Sequence, residues 1–446
     1  MASAARRTDE IGEPPLIGDR DVVVVAGART PFVKAGTLFR DVGAVELGRM
    51  AVREAIERAE IDPEAIDEVV VGNIAGPADA ANVGRVIALE AKVPRKVPAF
   101  TVNRNCASGL ESIVEAAYRI RAGEADIVVA GAVESMSRIP FLLSDEAQDL
   151  WTGVARAKSA VARVGAFSRF RPRHFKPVIG LELGLTDPVS GLNMGQTAEV
   201  LARDFSISRD EQDAFALRSH KLAAAAWAEG RMAGEVIPVP LPPRYEKIAD
   251  RDNGIRENQS PEALAKLRPV FDRRFGTVTA GNSSQITDGA AALVLASAER
   301  ARALGLAVMG KVRSWGFAGC DPARMGLGPV LATPIALRRA GGVTMSRMER
   351  VEINEAFAAQ VLACFKAFDS RAFCEENLGS APIGAPPLDH VNVNGGAIAL
   401  GHPVGASGGR LVLTLLREME RVNASLGLAT LCVGGGQGAA VVLERS

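Results

Sequence analysis

The sequence predicts an α/β fold made of two similar halves with a different region inserted between them. Short β-branched runs alternate with amphipathic helical patterns, which is typical of strands and helices that alternate around a central sheet. Four elements recur in the same order in both halves, and residues 138–286 between the halves differ from either. We therefore expect a duplicated α/β domain with an insertion that lies over the core and helps to form a cleft.

The repeated elements can be followed in chain order. Each half opens on a strand-like run, DVVVVAGARTPF in the first and VMGKVRSWGFAG in the second. A helical stretch then leads into a second strand, with DEVVVGNIAG matched by ERVEINEAF. A strand, a tight turn and a helix follow in PAFTVNRNCASGLESIVEAAYRI, and HVNVNGGAIALGHPVGASGGRLVLTLLREM predicts the same order with a longer loop. Each half closes on a buried strand and a glycine-containing turn, in ADIVVAGAVESMS and LGLATLCVGGGQG.

The repeat also predicts the domain boundaries. We expect a flexible tail over residues 1–20, a first domain of 21–137 plus 287–306, an inserted loop domain of 138–286 and a second domain of 307–446.

Two features stand out within the insertion. The stretch from Arg156 to Lys176 is basic and poor in helical pattern. Further on, Ser208 is followed three residues later by Glu211, which is the spacing of a capping box and predicts the start of a helix.

Composition narrows the class of protein. Lys plus Arg number 52, as do Asp plus Glu, so the net charge is zero. A net charge of zero does not favour binding to nucleic acid or to an anionic membrane. Five cysteines without a CxxC pair do not form a disulfide framework, and four histidines make a zinc site improbable. No apolar run reaches the roughly 18 to 20 residues of a membrane span. The first 20 residues lack the apolar block of a secretory signal. The sparse, odd set of cysteines fits a reducing setting, so we expect a cytoplasmic protein.

Cys106 and His402 are the leading candidates for chemistry. Cys106 follows a β-like run and precedes a helical pattern, so its thiolate would be stabilised by the positive end of the helix dipole. The alternative is a buried structural cysteine. His402 lies in a glycine-dense loop that leaves room around the imidazole, where it could act as a base for a cysteine. The alternative is a histidine whose hydrogen bonds are satisfied within a turn.

Three further segments support a ligand site. Cys432 ends a strand before a glycine run that can turn backbone N–H groups toward an oxyanion, or it is a small core residue. Asn354, where a strand gives way to a helix, can hold a water or carbonyl oxygen, or cap the helix. The small polar residues from Gly276 suit an extended ligand that carries amides, and neither GxxxxGK[ST] nor GxGxxG occurs in the context of a nucleotide site.

Five motifs together resemble the thiolase family. They are CASG, GTVTAGNSSQITDGAA, NEAF, GHPVGASG and CVGGGQG, spread over both halves between residue 21 and the C-terminus. The resemblance implies a five-layered αβαβα arrangement of two α/β domains with an inserted loop domain. It also implies work on coenzyme A (CoA) thioesters with CoA as co-substrate, and no metal or permanently bound cofactor.

The resemblance carries roles to particular residues. Cys106 would be the acylated nucleophile, activated by His402, and Cys432 would remove or return the α-proton of the acetyl unit. Asn354, through a water and together with His402, would bind the thioester oxygen. The backbone N–H groups of Cys106 and Gly434 would form a second oxyanion hole. Four more positions match residues that line the CoA channel in the family: Met194, Arg256, Ala280 and Ser284.

Departures from the family pattern bear on the substrate. Val433 and Gln437 stand where glycine and methionine are common, and Asn193 stands where short-chain acetoacetyl-CoA thiolases carry histidine. The segment IRENQSPEALAKLRPVFDRRFGTVTA and the insertion from Lys366 to Leu388 are similar to the β-subunit of fatty-acid β-oxidation complexes. That subgroup often has histidine where this chain has Asn354.

We therefore expect a 3-ketoacyl-CoA thiolase of fatty-acid oxidation. The alternatives are a biosynthetic acetoacetyl-CoA thiolase and, more remotely, a non-catalytic acyl-CoA-binding, lipid-binding or scaffold subunit. The resemblance implies a homodimer or homotetramer, with a hydratase/dehydrogenase α-subunit as a further partner. The basic stretch is best explained as a solvated loop or a contact for CoA phosphates or a partner, with membrane attachment as the weaker explanation.

Overall fold

The computed structural model describes residues 20–445, so the predicted tail lies almost wholly outside the described residues. The strands are β1 (Val22–Arg29), β2 (Val33–Lys34), β3 (Glu68–Gly72), β4 (Ala99–Val102), β5 (Ile127–Ser135), β6 (Phe141–Leu142), β7 (Val178–Ile179), β8 (Val239–Leu241), β9 (Lys247–Ala249), β10 (Thr287–Ser297), β11 (Gly310–Gly319), β12 (Arg350–Ile353), β13 (Leu426–Val433) and β14 (Gln437–Glu444).

The helices are α1 (Ala44–Arg58), α2 (Val83–Glu90), α3 (Ser108–Ala122), α4 (Asp145–Arg156), α5 (Ala160–Phe167), α6 (Gly180–Gly184), α7 (Met194–Asp204), α8 (Arg209–Ala228), α9 (Pro261–Ala265), α10 (Ala298–Leu304), α11 (Gly328–Arg339), α12 (Ala358–Asp369), α13 (Arg371–Asn377), α14 (Ala397–Leu400) and α15 (Ser407–Val422). None of these helices is long and apolar enough to cross a membrane.

The strand pairing repeats between the two halves. β1 pairs antiparallel with β10, β10 antiparallel with β5, and β5 parallel with β3. In the second half β11 pairs antiparallel with β14, β14 antiparallel with β13, and β13 parallel with β12. The opening strands β1 and β11 also pair with each other, through Val23 opposite Lys311 and Val24 opposite Gly310. The two half-sheets therefore join along one hydrogen-bonded path, and the predicted duplication is confirmed.

One predicted strand is replaced by side-chain hydrogen bonds. The counterpart of β4, expected at HVNVN, is reduced to a single bridge between Val351 and Val391. Asn392 follows in a left-handed conformation with φ of 47°. Its side chain accepts the N–H of Ile353 at 2.9 Å and donates to the carbonyl of Ile353 at 2.9 Å. The strand prediction was wrong here because a side-chain amide takes the place of the next ladder residue.

The helices and half-sheets form five layers. One apolar cluster joins α1 and α2 to the first half-sheet, and another joins α11 and α12 to the second. Between the half-sheets lie α3 and α15, whose buried side chains share a cluster with strands of both halves. The predicted αβαβα arrangement follows from these three clusters, since each half-sheet must bury both of its faces.

The insertion contains α4 to α9 and the short strands β6 to β9. The capping box at the start of α8 is confirmed, because the side chains of Ser208 and Glu211 each bond the backbone N–H of the other. The basic stretch is less irregular than expected, since it contains α5, capped by the Ser159 side chain. A buried ion network fixes the insertion to β1: the Arg29 guanidinium lies 2.7 Å from carboxylate oxygens of both Glu235 and Asp252.

Candidate active site

The candidate catalytic residues lie at one edge of the sheet. Strands β3, β4 and β5 run parallel, as do β12 and β13, so their carboxyl ends meet at common edges. Cys106 follows β4, Asn354 follows β12, and Cys432 lies one residue before the end of β13. The loop with His402 precedes α15. Strand direction therefore explains why residues from distant parts of the chain meet.

Cys106 lies in a tight turn between β4 and α3. Asn105 before it has φ of 45°, and its side-chain amide donates to the carbonyl of Gly434 at 2.8 Å. Burial raises the pKa of the Cys106 thiol, although the backbone N–H groups of Gly434 and of Cys106 itself, which bond the sulfur, act to lower it. Burial therefore opposes the dipole stabilisation of a thiolate that the sequence predicts at this helix start.

His402 is held with one ring nitrogen unprotonated. Its backbone N–H donates to the carbonyl of Gln285 at 3.0 Å, and its Nδ1 lies 2.6 Å from the Ser407 hydroxyl oxygen. Because that hydroxyl donates to the carbonyl of Pro403 at 3.3 Å, the Ser407 oxygen accepts from Nδ1–H. Nε2 is then the acceptor nitrogen. Burial, with a contribution from the Arg410 charge, lowers the pKa of His402 to about 4, so the imidazole is neutral at pH 7.

Asn354 faces His402 from the second half-sheet. Its side-chain nitrogen lies 3.4 Å from His402 Nε2, and its backbone N–H donates to the carbonyl of Thr430 at 3.0 Å. It does not cap a helix, because α12 begins only at Ala358. Its buried Oδ1 has no hydrogen-bond partner among the described residues. A buried amide oxygen left in this way is a natural position for a water or a substrate donor.

Cys432 is enclosed by apolar side chains. It shares a cluster with Met325 and Phe357, and Met194 packs against the same cluster. Burial raises the pKa of the Cys432 thiol well above its ordinary value, and the nearby Cys106 thiol adds to the shift. Cys432 is therefore a neutral thiol that can donate a proton. A Cβ atom at Gly434 would lie 3.3 Å from the sulfur of Met194, so the glycine leaves this space open.

The four residues predicted to line the CoA channel lie in different surroundings. Met194 begins α7 and contacts the Cys432 cluster. Ser284 donates its backbone N–H to Ala356 at 2.9 Å, which places its segment beside the NEAF motif. Ala280 is exposed. Arg256 donates its backbone N–H to His220 Nδ1 at 3.1 Å, and its charge acts on Lys34, whose pKa is lowered by burial and then by Arg256.

Three residues that support this site were not predicted from the sequence. Asn105, Ser407 and Gln285 hold the Cys106 turn and the His402 loop in place through the contacts above. The position of Asn105, directly before the cysteine, is a weak signal because asparagine tolerates positive φ. No local pattern marks Gln285, whose contact spans the sequence.

Comparisons with known proteins agree with this architecture. The family model described as the N-terminal domain of thiolase matches residues 22–299, and that of the C-terminal domain of thiolase matches residues 306–445. A 3-ketoacyl-CoA thiolase of Colwellia psychrerythraea is 42% identical over 429 residues, covering 96% of this chain and 97% of that protein. A 3-ketoacyl-CoA thiolase of Vibrio cholerae has the same identity and coverage.

Solved structures give the same result. Human mitochondrial 3-ketoacyl-CoA thiolase in complex with CoA superposes with a TM-score of 0.81 at 35% identity, covering 96% of this chain and 98% of that one. An acetyl-CoA acetyltransferase of Bacillus anthracis superposes with a TM-score of 0.83 at 35% identity, covering 95% and 98%. Fold and site thus define an acyltransferase of duplicated α/β architecture. The chain belongs to the thiolase family, and the predicted family, fold class and enzyme class are confirmed. The named relatives also support the predicted function as a 3-ketoacyl-CoA thiolase.

Proposed function

We propose that this chain cleaves 3-ketoacyl-CoA with CoA to give acetyl-CoA and a shortened acyl-CoA in fatty-acid β-oxidation. The observation that carries the proposal is geometric: the Cys106 thiol is bonded by the Gly434 N–H and lies near the Cys432 thiol, while His402 sits on a loop whose Gly405 carbonyl packs against the first turn of α3. A thiolysis enzyme needs a nucleophile, a base for it and a separate proton donor, and these three groups supply them.

In the first half-reaction Cys106 attacks the C3 ketone carbon of the substrate. His402 Nε2 takes the thiol proton as the sulfur adds, and the N–H groups of Cys106 and Gly434 hold the developing alkoxide. The C2–C3 bond then breaks, and its electron pair passes to C2. The acyl group remains on the sulfur of Cys106 as a thioester.

The leaving fragment is the enolate of acetyl-CoA. Its oxygen is bound by protonated His402 and by a water on Asn354, whose unpartnered Oδ1 supports that role. Cys432 delivers its S–H proton to C2 and releases acetyl-CoA. In the second half-reaction the thiol of CoA gives its proton to Cys432 and attacks the acyl thioester. Cys106 leaves as a thiolate and recovers its proton from His402.

The wider assignments follow the family. We assign Met194, Arg256, Ala280 and Ser284 to the CoA channel. The solved human relative contains CoA, which supports CoA as co-substrate. We further propose a homodimer or homotetramer, a cytoplasmic location and association with a hydratase/dehydrogenase α-subunit. No permanent cofactor or metal enters the steps above.

An acetoacetyl-CoA thiolase remains the second candidate, because the acetyl-CoA acetyltransferase of Bacillus anthracis superposes as well as the human 3-ketoacyl-CoA thiolase. Thiolysis rates with four-carbon and ten-carbon 3-ketoacyl-CoA separate the two. We expect the ten-carbon substrate to be cleaved with the higher kcat/KM, and a strong preference for the four-carbon substrate would favour the second candidate. Absence of thiolysis at any chain length would refute both.

A further inference from the structure

Glu134 is a buried carboxylate that the reaction above does not use. It lies at the carboxyl end of β5 with no exposed surface. One carboxylate oxygen accepts from the Asn73 side chain at 3.2 Å and the Ala75 N–H at 3.1 Å. The other accepts from the Ile74 N–H at 3.1 Å. Burial raises the pKa of Glu134 to about 7, although these N–H groups act to lower it. Because burial of a carboxylate costs free energy, its presence here indicates a structural or functional role.

The same carboxylate reaches the loop that carries His402. Gly405 lies against this carboxylate, and its backbone N–H is near enough to act against the burial that raises the pKa of Glu134. A Cβ atom at Gly405 would lie 2.5 Å from a Glu134 oxygen, 2.8 Å from the Val133 carbonyl and 3.4 Å from the Asn73 Cα. Gly405 therefore rests directly on the first half of the molecule, three residues after the base.

Other contacts of this loop with the first half are largely apolar or steric. Ala406 packs with Phe32 and Ala132 in a small buried cluster. The carbonyl of Gly405 presses on Gly109 in the first turn of α3, where a Cβ atom would lie 2.8 Å from it. Apolar contacts are not directional. Within the described residues, Glu134 supplies the charged, directional contact between this loop and the half that carries Cys106.

We propose that Glu134 is a positioning residue that holds the His402 loop against the first half-sheet and so sets the placement of His402 relative to Cys106. The contact joins the two halves of the duplicated fold close to the loop that carries His402. This inference rests on the proposed acyl transfer by Cys106 and His402.

Glu134→Gln is the sharpest test, because it keeps the shape but replaces one acceptor oxygen with an NH2 group. Either orientation of the amide turns a donor toward backbone N–H groups that now donate to the carboxylate. We expect kcat for thiolysis to fall between about tenfold and a hundredfold, as for a small misplacement of a catalytic group. KM for CoA stays within about twofold. Asp288→Asn is the matched control, since that buried carboxylate bonds Ser137 instead of the His402 loop.

Gly405→Ala disturbs the same contact at its other partner. It tests the role of Glu134 even if the Glu134→Gln variant does not fold. It should show the same loss of kcat with an unchanged KM, and the double variant should be no slower than the slower single variant, because both changes break one contact. A kcat within about threefold of wild type in either variant, or additive losses in the double variant, would overturn the inference. Cys106→Ala, measured in parallel, tests the proposed function separately. The thiolysis rate of wild type must exceed that of Cys106→Ala whether or not Glu134 positions the His402 loop.

Discussion

At the scale of single residues, the site is a set of neutral groups. Burial raises the pKa of Cys106 and lowers that of His402 to about 4, so the thiol and imidazole do not form an ion pair before substrate binds. The thiolate arises when His402 removes the proton during attack. This differs from cysteine sites in which a low thiol pKa prepares the nucleophile in advance.

The neutral pair predicts an unusual pH dependence. A histidine with a lowered pKa is still unprotonated well below the ordinary value of 6.5, so the base is kept as pH falls and is lost only near pH 4. We expect kcat/KM to stay flat from about pH 7.5 to about pH 5 on its acidic side, measured with short exposures to each buffer. An acidic limb centred near pH 6.5 would contradict the lowered pKa.

Ser407 is expected to fix the tautomer of His402. In Ser407→Ala, Nδ1–H loses its acceptor at 2.6 Å and the imidazole can turn or exchange tautomers. Loss of one such bond is worth about 1 to 1.5 kcal/mol, or roughly a tenfold fall in kcat. Steady-state kinetics with saturating CoA measure it. Ser112→Ala, which removes a buried hydroxyl bonded to Gly109 elsewhere in α3, should leave kcat unchanged.

At the scale of elements, the crossing of α3 and α15 brings the two halves of the site together. The helices touch through their first turns, and a Cβ atom at Gly408 would overlap the backbone nitrogen of Leu110. Because backbone cannot move aside as a side chain can, Gly408→Ala should separate the two helix N-termini. We expect a large loss of thiolysis and a lower midpoint of thermal unfolding.

Gly153→Ala is the matched control for that substitution. Gly153 lies inside α4, and an added Cβ atom meets nothing within 4 Å. Alanine in a helix is favoured over glycine by about 0.5 to 1 kcal/mol, so this variant should be as active as wild type and slightly more stable. Equal behaviour of the two glycine variants would contradict the role of close helix packing.

Elements were predictable where their signals are local. The capping box of Ser208 and Glu211 was recognised because both partners lie within one turn. The strand at HVNVN was mispredicted because its alternation is real, yet Asn392 takes over the hydrogen bonds of Ile353 through its side chain. Sequence periodicity indicates which side chains face the core. It does not indicate when a side-chain amide makes the hydrogen bonds that the backbone of a neighbouring strand would otherwise make.

At the scale of the whole molecule, the duplication could be inferred from the repeated order of elements, and the joint motifs supplied the candidate site residues, which stay predictions. The joining of β1 to β11 and the contact of Glu134 with Gly405 could not. Such contacts depend on how the two halves pack, and no periodic pattern encodes them. The attachment of the insertion to β1 could not be predicted either, because a buried ion network between distant residues makes it.

That network predicts where the whole fold is vulnerable. Arg29 is fully buried between Glu235 and Asp252. Arg29→Met would leave two buried carboxylates uncompensated and should destabilise the protein by about 3 to 5 kcal/mol. Urea unfolding measures this. Arg53→Met removes an exposed pair with Glu57 and should cost about 0 to 1 kcal/mol. A loss for Arg29→Met as small as that for Arg53→Met would show that the network does not anchor the insertion.

The central claim is that Cys106 carries the acyl group between the two half-reactions. It is tested most directly by mixing the enzyme with ten-carbon 3-ketoacyl-CoA in the absence of CoA, then locating any added mass by peptide mass spectrometry. Cys320→Ala, which alters a partly exposed cysteine that no step of the proposed reaction uses, serves as the control. We predict an eight-carbon acyl group on the peptide that contains Cys106, matched by released acetyl-CoA, in both wild type and control. An acyl group on another residue, or release of acetyl-CoA from Cys106→Ala at the wild-type rate, would contradict the account.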